Sequence, residues 1–139
     1  MQKFHLSTFV KCIFVAITTT TCASVSPSAP IRHGFELKID RSAGKITKLQ
    51  YHYSDFSNLI NSTEFPWRTI KISDMPIPEY FEVSWLSLDG IEHQEKIPVR
   101  GHLPISVKNN DVQFVIMKDS VQGYVSRFTS DGEVKTRFY

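Results

Sequence analysis

Cysteine is nearly missing from this chain. Its two cysteines, Cys12 and Cys22, both fall within the first 22 residues. The rest of the sequence can therefore hold neither a disulfide nor a thiol nucleophile, and its stability has to come from packing. No apolar run approaches the roughly 20 residues that span a bilayer as a helix. Neither charge sign dominates: once Lys3 and Lys11 are set aside, 14 Lys and Arg stand against 14 Asp and Glu. A neutral domain with scattered cations neutralises few phosphates, so nucleic-acid binding is not expected. Long 3.6-residue periodicity is missing too, which removes the helical classes.

Recognisable catalytic patterns are equally sparse. There is no G-x-S-x-G elbow around a serine. His33, His52, His93 and His102 are spread over four different segments, without H-x-x-x-H or H-E-x-x-H spacing. His93 and Glu95 stand two apart on a strand and share a face, but no third ligand can be named. The simpler expectation is His93 stacked on Trp85 across a hairpin. Acid pairs such as Glu92/Glu95 or Asp111/Asp119 read as solvated surface. The expectation is a binding protein with no catalytic residue, metal or cofactor.

What is present begins with an export signature. Lys3 and Lys11 supply a basic start and Cys12 to Ile17 an apolar centre. A Thr/Cys/Ala/Ser stretch supplies small residues for cleavage, and no acid occurs before Glu36. Cys22 resembles the acylated cysteine of bacterial lipoproteins, although Thr19 and Thr21 depart from the usual lipobox; cleavage after Ala23 is the competing route. Residues 1–22 then form the signal segment and 23–30 (containing SVSPSAP) a tether. Residues 31–139, enough for one domain, form the folded part.

Within 31–139 the pattern is that of short strands. Phe35, Leu37 and Ile39 alternate with polar residues, and so do Leu49, Tyr51 and Tyr53, with a phase shift between Ile46 and Leu49. These two runs suggest a hairpin turning over Arg41–Lys45. The stretch from Ser54 to Pro66 is weakly patterned, with a short helical turn expected over Ser54–Ile60 and a strand over Trp67–Ile72.

The clearest unit is Glu79 to Val99, two β-prone runs around Asp89-Gly90. A two-residue turn would set the apolar stripes at odds. A three-residue loop with Gly90 left-handed pairs Ser87 with Ile91, Trp85 with His93, Val83 with Glu95 and Phe81 with Ile97, which puts the apolar residues on one face. Val107 to Met117 reads as a hairpin arm around Asn109-Asn110-Asp111, with a run through Val112, Phe114 and Ile116 apolar on both faces and so central. Val121 to Phe128 follows, with a bulge expected at Gly123. A turn at Ser130-Asp131-Gly132 leads into an edge strand over Val134–Tyr139. Seven or eight short strands predict an all-β fold, a single small antiparallel sandwich or partly open barrel.

Binding residues are sought among exposed aromatics and turn tips. Trp67, between Pro66 and Arg68, and the tip formed by Asp89, Gly90, Glu92 and His93 are the candidates for contact with a protein partner.

Cys22, the SVSPSAP tether and the segment MPIPEYFEVSWLSLDGIEHQEKIPV together resemble small proteobacterial periplasmic lipoproteins in which an "IP..F.V.W...DG..H...VPV" pattern recurs. Some of those are immunity partners of type VI secretion lipase effectors. The resemblance covers about residues 75–126. It implies a periplasmic protein, anchored to the outer membrane through Cys22, that binds and blocks a secreted effector enzyme. Other expectations compatible with the residues are an assembly lipoprotein of an envelope machine and a small-ligand or carbohydrate-binding domain.

Overall fold

A computed structural model describes residues 28–139; the signal segment, Cys22 and most of the tether lie outside the described residues. Nine strands form two sheets facing each other as a sandwich, not closed into a barrel. They are β1 Ile31–Ile39, β2 Ile46–Tyr53, β3 Phe56–Ile60, β4 Arg68–Met75, β5 Tyr80–Ser87, β6 Glu92–Pro98, β7 Asp111–Ile116, β8 Val121–Thr129 and β9 Gly132–Arg137. One sheet has the order β4-β1-β7-β8-β9 and the other β3-β2-β5-β6.

The alternation read from the sequence sets the two inner faces. Phe35, Leu37 and Ile39 of β1 and Phe114 of β7 meet Tyr51 and Tyr53 of β2 and Phe81 of β5, all buried. Phe35 stacks on Tyr53 with centroids 4.6 Å apart, and Phe81 on Phe114 at 4.0 Å. Offset aromatic pairs of this kind add to the area they bury. They join the sheets without covalent help, since the described residues contain no cysteine. β7 is central as expected, between β1 and β8, with Val112, Gln113 and Phe114 all buried.

Several local expectations fail where long-range pairing outweighs local pattern. β1 and β2 are not a hairpin. A 3-10 turn over Arg41–Ala43, capped by the Asp40 carboxylate on the Ser42 N–H, carries the chain from one sheet to the other. Ser54–Ile60 holds no helical turn: Ser54 adopts φ 53° in a tight turn, and β3 pairs back along β2. Gly123 is no bulge in β8, since it stands in register opposite Phe114; the irregularity is at the chain end, where Phe138 and Tyr139 both donate N–H bonds to its carbonyl.

The sandwich is also not purely antiparallel, because β1 and β7 run parallel. β6 ends at the pole where β1 began, and residues 99–110 lead the chain into β7 beside β1 in the same direction. Residues 104–110 form no strand, so the expected arm before Asn109 is a loop, with Asn109 at φ 59°. The phase shift predicted in β2 is present as a register shift between Ile46 and Lys48.

This topology gives the molecule two poles. The entry pole carries Ser28 and the connections 54–55, 76–79, 99–110 and 130–131. The tip pole carries 40–45, 61–67, 88–91 and 117–120. The end of the tether is fastened at the entry pole. Ser28 Oγ donates to the Ile77 carbonyl at 3.1 Å and accepts from the Ile77 N–H at 2.8 Å.

Candidate functional site

The β5–β6 hairpin forms in the bulged register read from the sequence. Trp85 pairs with His93, Val83 with Glu95 and Phe81 with Ile97. The Ser87 N–H donates to the Ile91 carbonyl at 2.9 Å and the Gly90 N–H to the Ser87 carbonyl at 3.0 Å. Gly90 sits at φ 85°, a left-handed conformation that a residue with a Cβ adopts only under strain. This geometry pushes Leu88 and Ile91 off the strand faces, leaving them 68% and 55% exposed.

Between this tip and the turn over residues 41–45 lies an open cleft of about 750 Å³. Leu88, Ile91 and Asp89 form one wall, Ala43 and Lys45 the opposite one, and Lys118 and Asp119 close the end. Ser87 and His93 line it from within the hairpin. His93 lies flat on Trp85, centroids 4.7 Å apart and planes within 8°, and its Nε2 is 2.8 Å from Ser87 Oγ. The stacking and the hydrogen bond together fix the imidazole. Among the described residues no carboxylate hydrogen-bonds its Nδ1.

The residues selected from sequence separate over this pole. Asp89 and His93 enter the cleft and Gly90 forms the exposed tip. Glu92 faces the other way, into a shallow depression with Lys48, Gln50 and Ser84 on the outer side of the smaller sheet. Trp67 shares the pole, its carbonyl accepting the Ile39 N–H at 3.2 Å, but it is half-buried against the core instead of exposed. The exposed aromatic there is its neighbour Phe65, 44% exposed, with the Arg41 guanidinium 5.1 Å from its ring centroid.

Sequence reasoning missed Leu88, Ile91 and Ser87, although a signal for all three was available. The three-residue loop in that register already leaves Leu88 outside the paired residues and brings Ser87 beside His93, whereas the exposure of Ile91 comes from its place at the very end of the ladder. Lys45 and Lys118 carry no such signal, because tertiary packing alone brings them to the hairpin.

Comparison with known proteins adds little. No protein-family model matches the chain, and no curated protein matches it. Among solved structures it is similar to the NMR structure of a protein from Eubacterium rectale, with 11% identity over 68% of this chain and 87% of that one and a TM-score of 0.42. A likeness at that score carries no argument about fold or activity.

Proposed function

We propose that this chain is a non-enzymatic binding protein of the periplasm, held at the outer membrane through Cys22, whose tip pole engages and blocks a secreted effector enzyme such as a lipase. The observation that carries the reading is the tip pole itself. Two large aliphatic side chains, Leu88 and Ile91, stand in solvent on a hairpin kept rigid by its bulge and by the Trp85–His93 stack. Charged residues of both signs, Asp89, Lys45, Lys118 and Asp119, rim the cleft beside them. Apolar anchors inside a charged rim are the usual anatomy of a protein interface. The tether joins at the opposite pole, through Ser28, so an anchor there leaves the tip pole facing outward.

A second reading has a specific observation behind it. A cleft of about 750 Å³ lined by Ser87 and His93 has the size of a small-molecule site. The two readings part in one experiment. The domain spanning residues 24–139 is used to capture partners from the periplasm of the cell that makes it, alongside Leu88→Glu and Ile91→Glu. The interface reading predicts that one enzyme binds stoichiometrically and loses activity. Each substitution should then weaken binding by about 10-fold or more, given roughly 1.5–3 kcal/mol per buried aliphatic side chain. Because both positions are exposed, thermal stability should move by no more than about 0.5 kcal/mol. Capture of envelope-machine components in place of an enzyme would favour an assembly role. Labelling of Ser87 by a fluorophosphonate, with no protein captured, would overturn the interface reading in favour of the small-molecule one.

A further inference from the structure

The free edge of the four-stranded sheet carries a feature apart from the cleft. β6 has β5 on one side and, among the described residues, no strand on the other. At its two ends the Ser87 N–H bonds the Ile91 carbonyl and the Val99 N–H bonds the Glu79 carbonyl, so odd-numbered residues direct their backbone groups to β5. By the alternation of an antiparallel ladder, Glu92, Gln94 and Lys96 direct theirs outward, where none of the described residues meets them. Such an edge takes up a further strand unless its side chains oppose one.

The residues of β6 complement themselves. Laid antiparallel on a second copy about Gln94, the strand sets Glu92 opposite Lys96, His93 opposite Glu95 and Gln94 opposite Gln94, with each unlike pair repeated by symmetry. Glu92, Gln94 and Lys96 are exposed and are also the residues with outward backbone groups, so side-chain and backbone complementarity fall in the same register. Sliding the strands by two residues brings either His93 onto His93 or Glu95 onto Glu95. The second of these also sets Glu92 against Pro98, which has no N–H to give. The edge strand β4 is a contrast: pairing it with itself so that Arg68 meets Asp74 puts Lys71 opposite Lys71, and a lysine so placed keeps copies apart. The present contacts of the β6 side chains leave its backbone edge open. Lys96 Nζ lies 3.5 Å from Glu82, both side chains being more than half exposed, and Glu95 accepts from the Tyr139 hydroxyl at 3.2 Å.

We infer that β6 is a self-association edge: it pairs antiparallel with the β6 of a second copy across a two-fold axis at Gln94, joining the two four-stranded sheets into one. The contact is isologous, each copy giving and receiving the same bonds. Charge complementarity selects the occupant, because a strand bearing both Glu92 and Lys96 is matched in this register by its own reverse. The interface is mostly polar and short, so the dimer is weak, with a Kd between about 1 µM and 1 mM. Antiparallel pairing points the two tip poles in opposite directions, and the inference does not rest on the reading of the tip pole.

The test is sedimentation equilibrium of the domain spanning residues 24–139, which holds both sheets and the core, at concentrations up to about 1 mM. A monomer–dimer equilibrium is expected. Glu92→Lys alone and Lys96→Glu alone each set like charges opposite one another and should weaken association by about 10-fold or more. Mixing the two variants restores every opposite-charge pair and should restore the dimer, which separates lost pairing from lost folding. The register is read by Gln94→Cys in this otherwise cysteine-free domain. Opposed Cα atoms of a hydrogen-bonded pair lie about 5.5 Å apart, within disulfide reach, so this variant should oxidise to a linked dimer. Glu92→Cys, facing Lys96, should not. A monomer at every concentration, charge variants that associate like the parent or stay apart on mixing, or equal cross-linking from positions 92 and 94 would each overturn the inference. None of these outcomes bears on effector capture at the tip pole.

Discussion

His33 is buried, and its two ring nitrogens have different partners. Nδ1 lies 2.8 Å from the Ile31 carbonyl, which can only accept, so this nitrogen carries the proton. Nε2 then accepts from the Tyr53 hydroxyl at 2.9 Å. The imidazole is neutral in this arrangement, and its pKa is lowered from 6.5, chiefly by burial. A histidine lowered on folding contributes stability that is complete above its unfolded pKa of about 6.5 and is lost as pH falls toward the folded value. The unfolding free energy from urea titrations should therefore decline from pH 7.5 to 5.0, with a slope of up to about 1.4 kcal/mol per pH unit from this residue. His33→Gln should flatten that slope whatever its effect on stability at neutral pH. The neighbouring tyrosines make a contrast. Tyr53→Phe removes the partner of Nε2 and should cost about 1–3 kcal/mol. The Tyr51 hydroxyl is buried with no protein partner among the described residues, so Tyr51→Phe should be neutral or slightly stabilising in the same denaturation assay.

At the scale of the element, the β5–β6 hairpin is the part of the fold that was legible from residues alone. Asp89-Gly90, the alternation on either side and the need to keep Phe81, Val83 and Trp85 on one face together allow one register, and it is the one formed. Gly90→Val should strain the left-handed turn by about 1–2 kcal/mol per the cost of that conformation to a residue with a Cβ. It should also weaken partner capture through the displaced Leu88 and Ile91, measured as a lower Tm together with reduced binding. Elsewhere local pattern was not enough. The Arg41–Lys45 turn is chemically as good a hairpin turn as a crossover, and only the demand of two inner faces for Phe35 and Tyr53 to meet decides between them. β3 was hidden because an edge strand of five residues, with Ser57 and Asn58 at its centre, carries almost no alternation. The close approach of the Asp111 side chain to Gly34 was invisible for a similar reason. It depends on the parallel pairing of β1 with β7, which aligns Gly34 with Asp111 across 77 residues of chain.

At the scale of the molecule, the account rests on polarity. The chain enters through Ser28 at one pole and presents Leu88, Asp89, Gly90 and Ile91 at the other, separated by the nine residues of β1, roughly 30 Å at strand rise. A sandwich packed through aromatic pairs holds that separation, so under the proposed function an anchor at one end and a binding surface at the other would act as a spacer and a head. The most direct measurement is site-specific photo-crosslinking in the cell that makes the protein, with a photoreactive phenylalanine placed in turn at Leu88 on the tip pole and at Ser106 on the entry pole, both exposed. The account predicts one discrete cross-linked partner from position 88 and none from position 106. A partner captured from position 106 but not from 88, or equally from both, would contradict it.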